Sequence, residues 1–466
     1  YHAPLAVYFW RDGNLGALLD RQPWAWALAH PGTSELWFGA LLVAAGERVA
    51  SLGQLPFAVF GALAAYCVGR RTGLGAGAAA LGGAGFLLAP MVAIQSGMQL
   101  NDVAAGALVT AAAALALGRP GDWTTARSAL VGLALGLAAT TKLAALPAVA
   151  AVGLFALTGG VRAGGWRLAL PAMAAFALLV APWWARNLVL FDNPIFPAAL
   201  PLVGRGYVVG DFVRKDAWFV PHLAAWPLYP LVESHGEMSG LGALFGVAAL
   251  PGLLAAIARG RRAPLVLVAA VAGLSLPAWW LLTQHEPRLL LHLLGLGCGF
   301  IGWSLVAVPR RQRPAAMLLL AAVATFSALV TVDQALRPHA LQPTTRAAFY
   351  DRVWAVDSVA AGLPETEPLL YHTGHARLSY AGDYPLLGPG LGRVLVAIDG
   401  PQTGDSVLAV MRPRGIRYAY VPAAPEGQAT VEAIYDSTRF DLVHASTIGQ
   451  GRMRGVRRYL FRLRDR

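Results

Sequence analysis

Between Arg48 and Phe191 the chain carries only two carboxylates, Asp102 and Asp122, and the residues around them are Ala, Leu, Gly and Val in runs of about twenty. About 20 helical residues cross a hydrocarbon core of about 30 Å, so this spacing predicts a bundle of membrane-spanning helices. The whole sequence agrees: 56% of the 466 residues are hydrophobic and 13% charged, roughly half the charged share of an ordinary soluble domain. The fold class expected is therefore mainly α, a polytopic helical membrane protein.

Charge-free stretches bounded by Arg, Pro or Gly predict ten spans, near 51–69, 74–95, 101–118, 129–141, 143–159, 168–190, 241–259, 264–283, 288–308 and 314–334. Alternate turns between them hold Arg70 and Arg71, Arg119 and Arg127, Arg162 and Arg167, Arg259 with Arg261 and Arg262, and Arg310 with Arg311 and Arg313. The opposite short turns hold only Lys142 and Arg288. Cytoplasmic loops retain Lys and Arg, so the Arg-bearing turns are expected inside the cell. Snorkelling at helix ends would not by itself produce this alternation. The net charge of +12 follows largely from the same turns and implies no nucleic-acid partner.

This orientation puts three segments outside the cytoplasm: 1–50, a loop over 192–240, and 337–466. The first, with Trp10, Trp24, Trp26 and Trp37 broken by Pro4, Pro23 and Pro31, reads as an outer loop with interfacial helices. The second is also rich in Trp and Pro and suits a cover over a lipid-linked substrate. The third reads as a small soluble α/β domain. Its strands are expected at Leu369–His372, Val394–Ile398, Ile416–Val421 and Arg457–Phe461, and its helices at 345–361, 404–412 and 429–437. Residues 51–336 form the membrane domain.

Cys67 and Cys298 lie in apolar runs and provide no disulfide framework. The glycines from Gly73 to Gly85 follow no strand and read as close helix packing, not as a phosphate-binding loop. His372 and His375 lack a third ligand nearby and read as exposed loop histidines.

Four places carry residues suited to chemistry. Asp102, after Asn101, opens a span at its outer end; an acid there is costly in a membrane and usually has a task, although either residue also reads as a helix cap. Lys142, one of two lysines, is a point charge between two apolar segments and suits a phosphate, or else snorkels. Arg186 with Asn187 ends the next long span, and His285, Glu286 and Arg288 occupy a third outer turn. Gathered on one face, these groups suit an anionic headgroup at the membrane surface.

The stretches YHAP and WRDGNL near the start, HPGTSELWFGALL, QSGMQLNDVAAGAL, GLALGLAATTKLAALP, PWWARNLVLFDNPIFP and HEPRLLLHLLGL resemble the GT-C integral-membrane glycosyltransferases. The likeness is to the bacterial relatives of the protein O-mannosyltransferases and aminoarabinose transferases, glycosyltransferase family 39, and covers about residues 1–335. It implies an enzyme of the bacterial plasma membrane that moves a sugar from a polyprenyl-phosphate donor to an extracytoplasmic glycan, lipid or protein acceptor. It also implies that Asp102 is a catalytic acid, with a divalent metal ion on it an option of the family, and that His2, Lys142, Arg186, Glu286 and Arg288 bind substrate. The family's first-loop acid is expected upstream of Tyr1, as if the N-terminus were truncated; Asp12, Asp20 and Glu35 do not align with it. A secondary transporter or lipid flippase is the alternative. Such proteins place charge near the midplane and show inverted repeats, and neither feature is visible in the sequence.

Overall fold

The computed structural model describes residues 30–97, 99–196, 241–242, 244–282, 287–331, 363, 367–372, 395–398, 402–423, 425–447 and 456–464, with Ala6, Phe9 and Trp10. The chain divides into two compact units, Ala29–Leu341 and Tyr1–Leu28 with Gln342–Arg466.

The regular elements among the described residues of the first unit are all helices. It begins with α1 (Thr33–Ser51), α2 (Leu55–Arg71), α3 (Ala76–Leu87), α4 (Pro90–Gln95) and α5 (Asp102–Ala116). It continues with α6 (Thr125–Thr141), α7 (Leu146–Gly164), α8 (Trp166–Phe191), α9 (Leu250–Ala258) and α10 (Arg262–Leu282). After a 3-10 turn at Pro287–Leu290 come α11 (Leu291–Cys298), α12 (Ile301–Ala307) and α13 (Arg313–Thr331). Each of the ten expected spans contains helix among its described residues. The one expected over 74–95 is broken between α3 and α4, where Ala89 is extended and Pro90 opens the next helix. Proline lacks an N–H and disfavours helical backbone before it. Among the described residues, five segments are long and apolar enough to cross a membrane: Leu143–Gly164, Trp166–Phe191, Arg262–Trp279, Pro287–Ala307 and Arg310–Leu329.

Burial is arranged for a lipid solvent. Leu318, Leu319, Phe326 and Leu329 on α13, and Leu178, Leu188 and Val189 on α8, are exposed apolar side chains. Contiguous exposed apolar surface on a helical body marks contact with membrane or partner. The centre is occupied by α5, DVAAGALVTAAAALA, in which every residue except Leu115 is buried. Fifteen residues make a rod of about 22 Å, too short to span alone, and its small side chains let neighbours close in from all sides. Gly106 and Gly295 are where this matters: a Cβ on Gly106 would lie 2.9 Å from the Leu291 Cβ, and one on Gly295 would lie 2.1 Å from Thr110 Oγ1. These two glycines let α11 dock directly on α5.

The two ends of α5 differ in charge. Past its C-terminal end, Asp122 pairs with Arg71 at 2.7 Å and Arg127 at 3.6 Å and accepts from the Arg119 N–H at 3.1 Å. The Arg119 amide, helped by both guanidiniums, holds the Asp122 carboxyl below its usual range. Arg259 and Arg261 both lie over the Trp303 ring, whose Nε1 donates to Thr72 Oγ1 at 2.9 Å. The structure thus gathers three of the Arg-bearing turns, and it leaves Lys142 and Arg288 at the opposite end of α5.

In the second unit, a five-stranded sheet has the order β2-β1-β3-β5-β4, from β1 (Leu369–His372), β2 (Leu395–Ile398), β3 (Tyr418–Ala423), β4 (Phe440–Thr447) and β5 (Arg457–Leu463). Strand β1 pairs parallel with β2 and β3, while β5 pairs antiparallel with β3 and β4. Helices α14 (Gly404–Met411) and α15 (Gln428–Ile434) match the expected helices at 404–412 and 429–437, and the one expected over 345–361 lies outside the described residues. Thr403 and Ser406 close a capping box on α14. Val407, Met411, Val431 and Ile434 of these helices pack in one core with Leu370, Ala419, Val421, Phe440 and Phe461 of the sheet.

Two readings are corrected here. Strand β4 was not expected, because its register shifts between Leu442 and His444 and most of it is solvent-facing, which destroys the period-2 alternation. His372 is no exposed loop histidine: it is fully buried on β1, its Nδ1 3.0 Å from the Tyr435 hydroxyl. His375 lies outside the described residues.

Candidate active site

The N-terminus of α5 has four N–H groups without intrahelical partners. Asn101 occupies the cap position, yet its side chain makes no capping bond. The capping role expected of Asn101 or Asp102 passes instead to Gln54, fully buried between α1 and α2: its Oε1 accepts from the Ala104 N–H at 2.9 Å, and its Nε2 donates to the Leu100 carbonyl. Supplied with a cap from elsewhere, Asn101 and Asp102 turn their side chains to other partners.

Asp102 is 2% exposed and carries a cation on each side of its carboxylate. Lys142 Nζ pairs with Oδ1, and Arg288 Nη1 lies 3.4 Å from Oδ2. Lys142 is the residue at which α6 stops; its backbone is extended, which turns the side chain out of the helix. Its Nζ also donates to Asn101 Oδ1 at 3.0 Å. Asn101 Nδ2 in turn donates to the Thr141 carbonyl at 2.8 Å and to Ser34 Oγ at 3.2 Å, and Ser34 Oγ donates to Glu35 Oε2 at 2.7 Å. The result is a continuous polar chain, Glu35–Ser34–Asn101–Lys142–Asp102–Arg288, inside an apolar body. Asp102, Lys142 and Arg288 line one small recess together with Gly106, Ala145 and His292.

Arg186 stands apart from that recess. It lies over the Trp183 ring at 4.8 Å, holds Asn187 Oδ1 with Nε and Nη2, and donates to the His30 carbonyl at 3.2 Å. Trp183 Nε1 reaches Thr33 Oγ1 at 3.1 Å, so Arg186 packs on the start of α1 beside Ser34 and Glu35. His2 and Glu286 lie outside the described residues. The site therefore unites Asp102, Lys142 and Arg288 and adds Asn101, Glu35 and His292. Glu35 has a legible signal, an acid near the start of an apolar helix; His292 has none.

The donor set does not fit a metal ion on Asp102. Each carboxylate oxygen already faces a cation, and among the described residues no three His, Cys, Asp or Glu side chains converge on one point. Two fixed cations around one acid instead make a site with net positive charge and low dielectric, suited to an anion with several oxygens.

No family model and no curated protein matches the chain. Solved structures do. ArnT from Cupriavidus metallidurans bound to undecaprenyl phosphate superposes with a TM-score of 0.58 at 16% identity, over 99% of this chain and 92% of that one. The apo state of the same protein gives a TM-score of 0.57 at 17% identity over the same shares. The chain has the GT-C fold. The helical body and the small terminal sheet both fall within the matched length, and the recess at the start of α5 sits in the helical body.

Proposed function

We propose that this GT-C chain is a membrane glycosyltransferase whose donor is a sugar linked to a polyprenyl phosphate, and that the recess at Asp102 receives the phosphate. The single observation that carries this reading is the pair of cations, Lys142 and Arg288, held against one buried carboxylate in a lipid-facing bundle. A similar fold whose structure holds undecaprenyl phosphate supports the choice of lipid. The acceptor is an extracytoplasmic glycan, lipid or protein, and the recess lies on the outer face, opposite the Arg-rich turns.

The chemistry divides among the residues. When the phosphate accepts from Lys142 and Arg288, it takes over partners of Asp102. The released carboxylate takes the proton of the acceptor hydroxyl or amine as that atom bonds to the anomeric carbon. The bond from the anomeric carbon to phosphate oxygen breaks, its electron pair stays on the polyprenyl phosphate, and the added negative charge meets the two cations. Arg186 and Glu35 lie beside the start of α1 and hold it against this site.

The test is transfer of radiolabelled sugar from a polyprenyl-phosphate sugar by the full chain in lipid nanodiscs. Asp102→Asn lowers the rate at least about a hundredfold, the range of a positioned acid-base group. Unchanged transfer by that variant overturns the assignment. Net movement of the lipid across the bilayer without transfer would favour the flippase reading.

A further inference from the structure

His292 lies four residues after Arg288, in the first turn of α11, directly after the 3-10 turn that carries Arg288. Its neighbour Leu291 is the residue packed against Gly106 of α5, so the turn that carries His292 is pressed onto the first turn of the helix that Asp102 opens. The side chain is 3% exposed and lines the same recess as Asp102, Lys142 and Arg288. Its Nε2 is buried and has no hydrogen-bond partner among the described residues.

A buried ring nitrogen without a partner costs about 1–3 kcal/mol, and folded proteins leave few such groups. An apolar residue of similar volume would remove that cost. The protein instead keeps a polar side chain in the wall of a recess that also carries two cations and one carboxylate. We propose that His292 is a substrate-contacting residue whose Nε2–H donates to a phosphoryl oxygen of the bound polyprenyl phosphate, beside the donors supplied by Lys142 and Arg288. This rests on the donor-site reading above. The three groups converge from two elements: Lys142 from the end of α6, Arg288 and His292 from the turn leading into α11. The polyprenyl phosphate released by transfer has three terminal oxygens and can accept from all three groups, whereas the sugar-linked donor, a phosphodiester, has two. Unlike the two cations, the imidazole pairs with no acid among the described residues, so its hydrogen bond forms when ligand enters.

The experiment uses the full chain in detergent and farnesyl phosphate as the probe. It measures the dissociation constant by calorimetry and the ligand-free melting temperature for the natural protein, His292→Leu, His292→Gln and Lys142→Met. The proposal expects His292→Leu to bind about tenfold more weakly, the loss of one hydrogen bond to a charged group. It expects that variant to melt no lower without ligand, since the orphaned nitrogen is gone, and His292→Gln, which keeps a side-chain N–H, to recover most of the affinity. Natural affinity in His292→Leu alongside weak binding in Lys142→Met overturns the His292 contact and leaves the donor site standing. Failure of the natural protein to bind farnesyl phosphate overturns both. A lower ligand-free melting temperature in both His292 variants overturns the proposal in favour of a structural role.

Discussion

Arg288 reaches Asp102 across 186 residues of chain, Nη1 to Oδ2 at 3.4 Å, and both side chains are largely withdrawn from solvent. An acid that opens a buried helix is thereby paired, beside Lys142, with a cation from a turn distant in sequence. The contact exists because α11 packs on α5 without intervening side chains at Gly106 and Gly295. Removing one partner of such a pair exposes the other to the desolvation cost it was relieving.

Lys142 and Arg288 should act unequally on folding and alike on the ligand. Lys142→Met removes the ammonium that bridges Asn101 and Asp102, so it should lower both the melting temperature and the affinity for a polyprenyl phosphate, the latter at least about tenfold. Arg288→Met leaves the Lys142 pair intact and should reduce affinity by a similar factor with a smaller loss of stability. Calorimetric titration and thermal unfolding of the same preparations separate the two effects.

Gln54→Leu is predicted to destabilise the bundle by about 2 kcal/mol or more. It strips a partner from the Ala104 N–H and from the Leu100 carbonyl at once, both at a buried helix start. The loss should appear as a lower melting temperature and as faster hydrogen exchange at the first turn of α5.

Gly295→Ala tests the close approach. Its added Cβ would stand 2.1 Å from Thr110 Oγ1, so α11 must move away from α5 at a cost of about 1–3 kcal/mol. Because the same segment carries Arg288 and His292, binding of the lipid phosphate should fall with it. The double variant Gly295→Ala with Thr110→Ala, which frees the space occupied by the hydroxyl, should recover part of both.

Asp122 gives a pH dependence with a definite sign. The Arg119 amide first, then Arg71 and Arg127, lower its carboxyl in the folded protein. A carboxyl lowered on folding contributes stability that is present above its unfolded value, about 3.9, and is lost as pH falls through the folded one. Asp122→Asn should therefore melt below the natural protein at pH 7. The gap between them should close as the pH is taken below about 4.

Some of this was legible in residue order. Long acid-free runs predict helices because a bilayer offers the backbone no hydrogen bonds, so each span must satisfy its own. The alternating Arg turns predict two unlike ends, and the structure collects Arg71, Arg119 and Arg127 around Asp122. Asp102, Lys142 and Arg288 stand out as rare charges at the boundaries of apolar segments, and they meet. Strand β4 escaped notice because a register shift and solvent exposure erased its alternation.

The sequence by itself determined where helices form and which few charges the membrane body tolerates, since both follow from local chain composition and the cost of placing charge in hydrocarbon. Which charges meet was decided only by the tertiary structure. That Gln54 caps α5, freeing Asn101 for Lys142, and that His292 lines the same recess as Asp102, depends on contacts between distant helices. Such contacts are set by packing at Gly106 and Gly295, where the absence of a side chain allows the approach, and a missing Cβ has no periodicity to read.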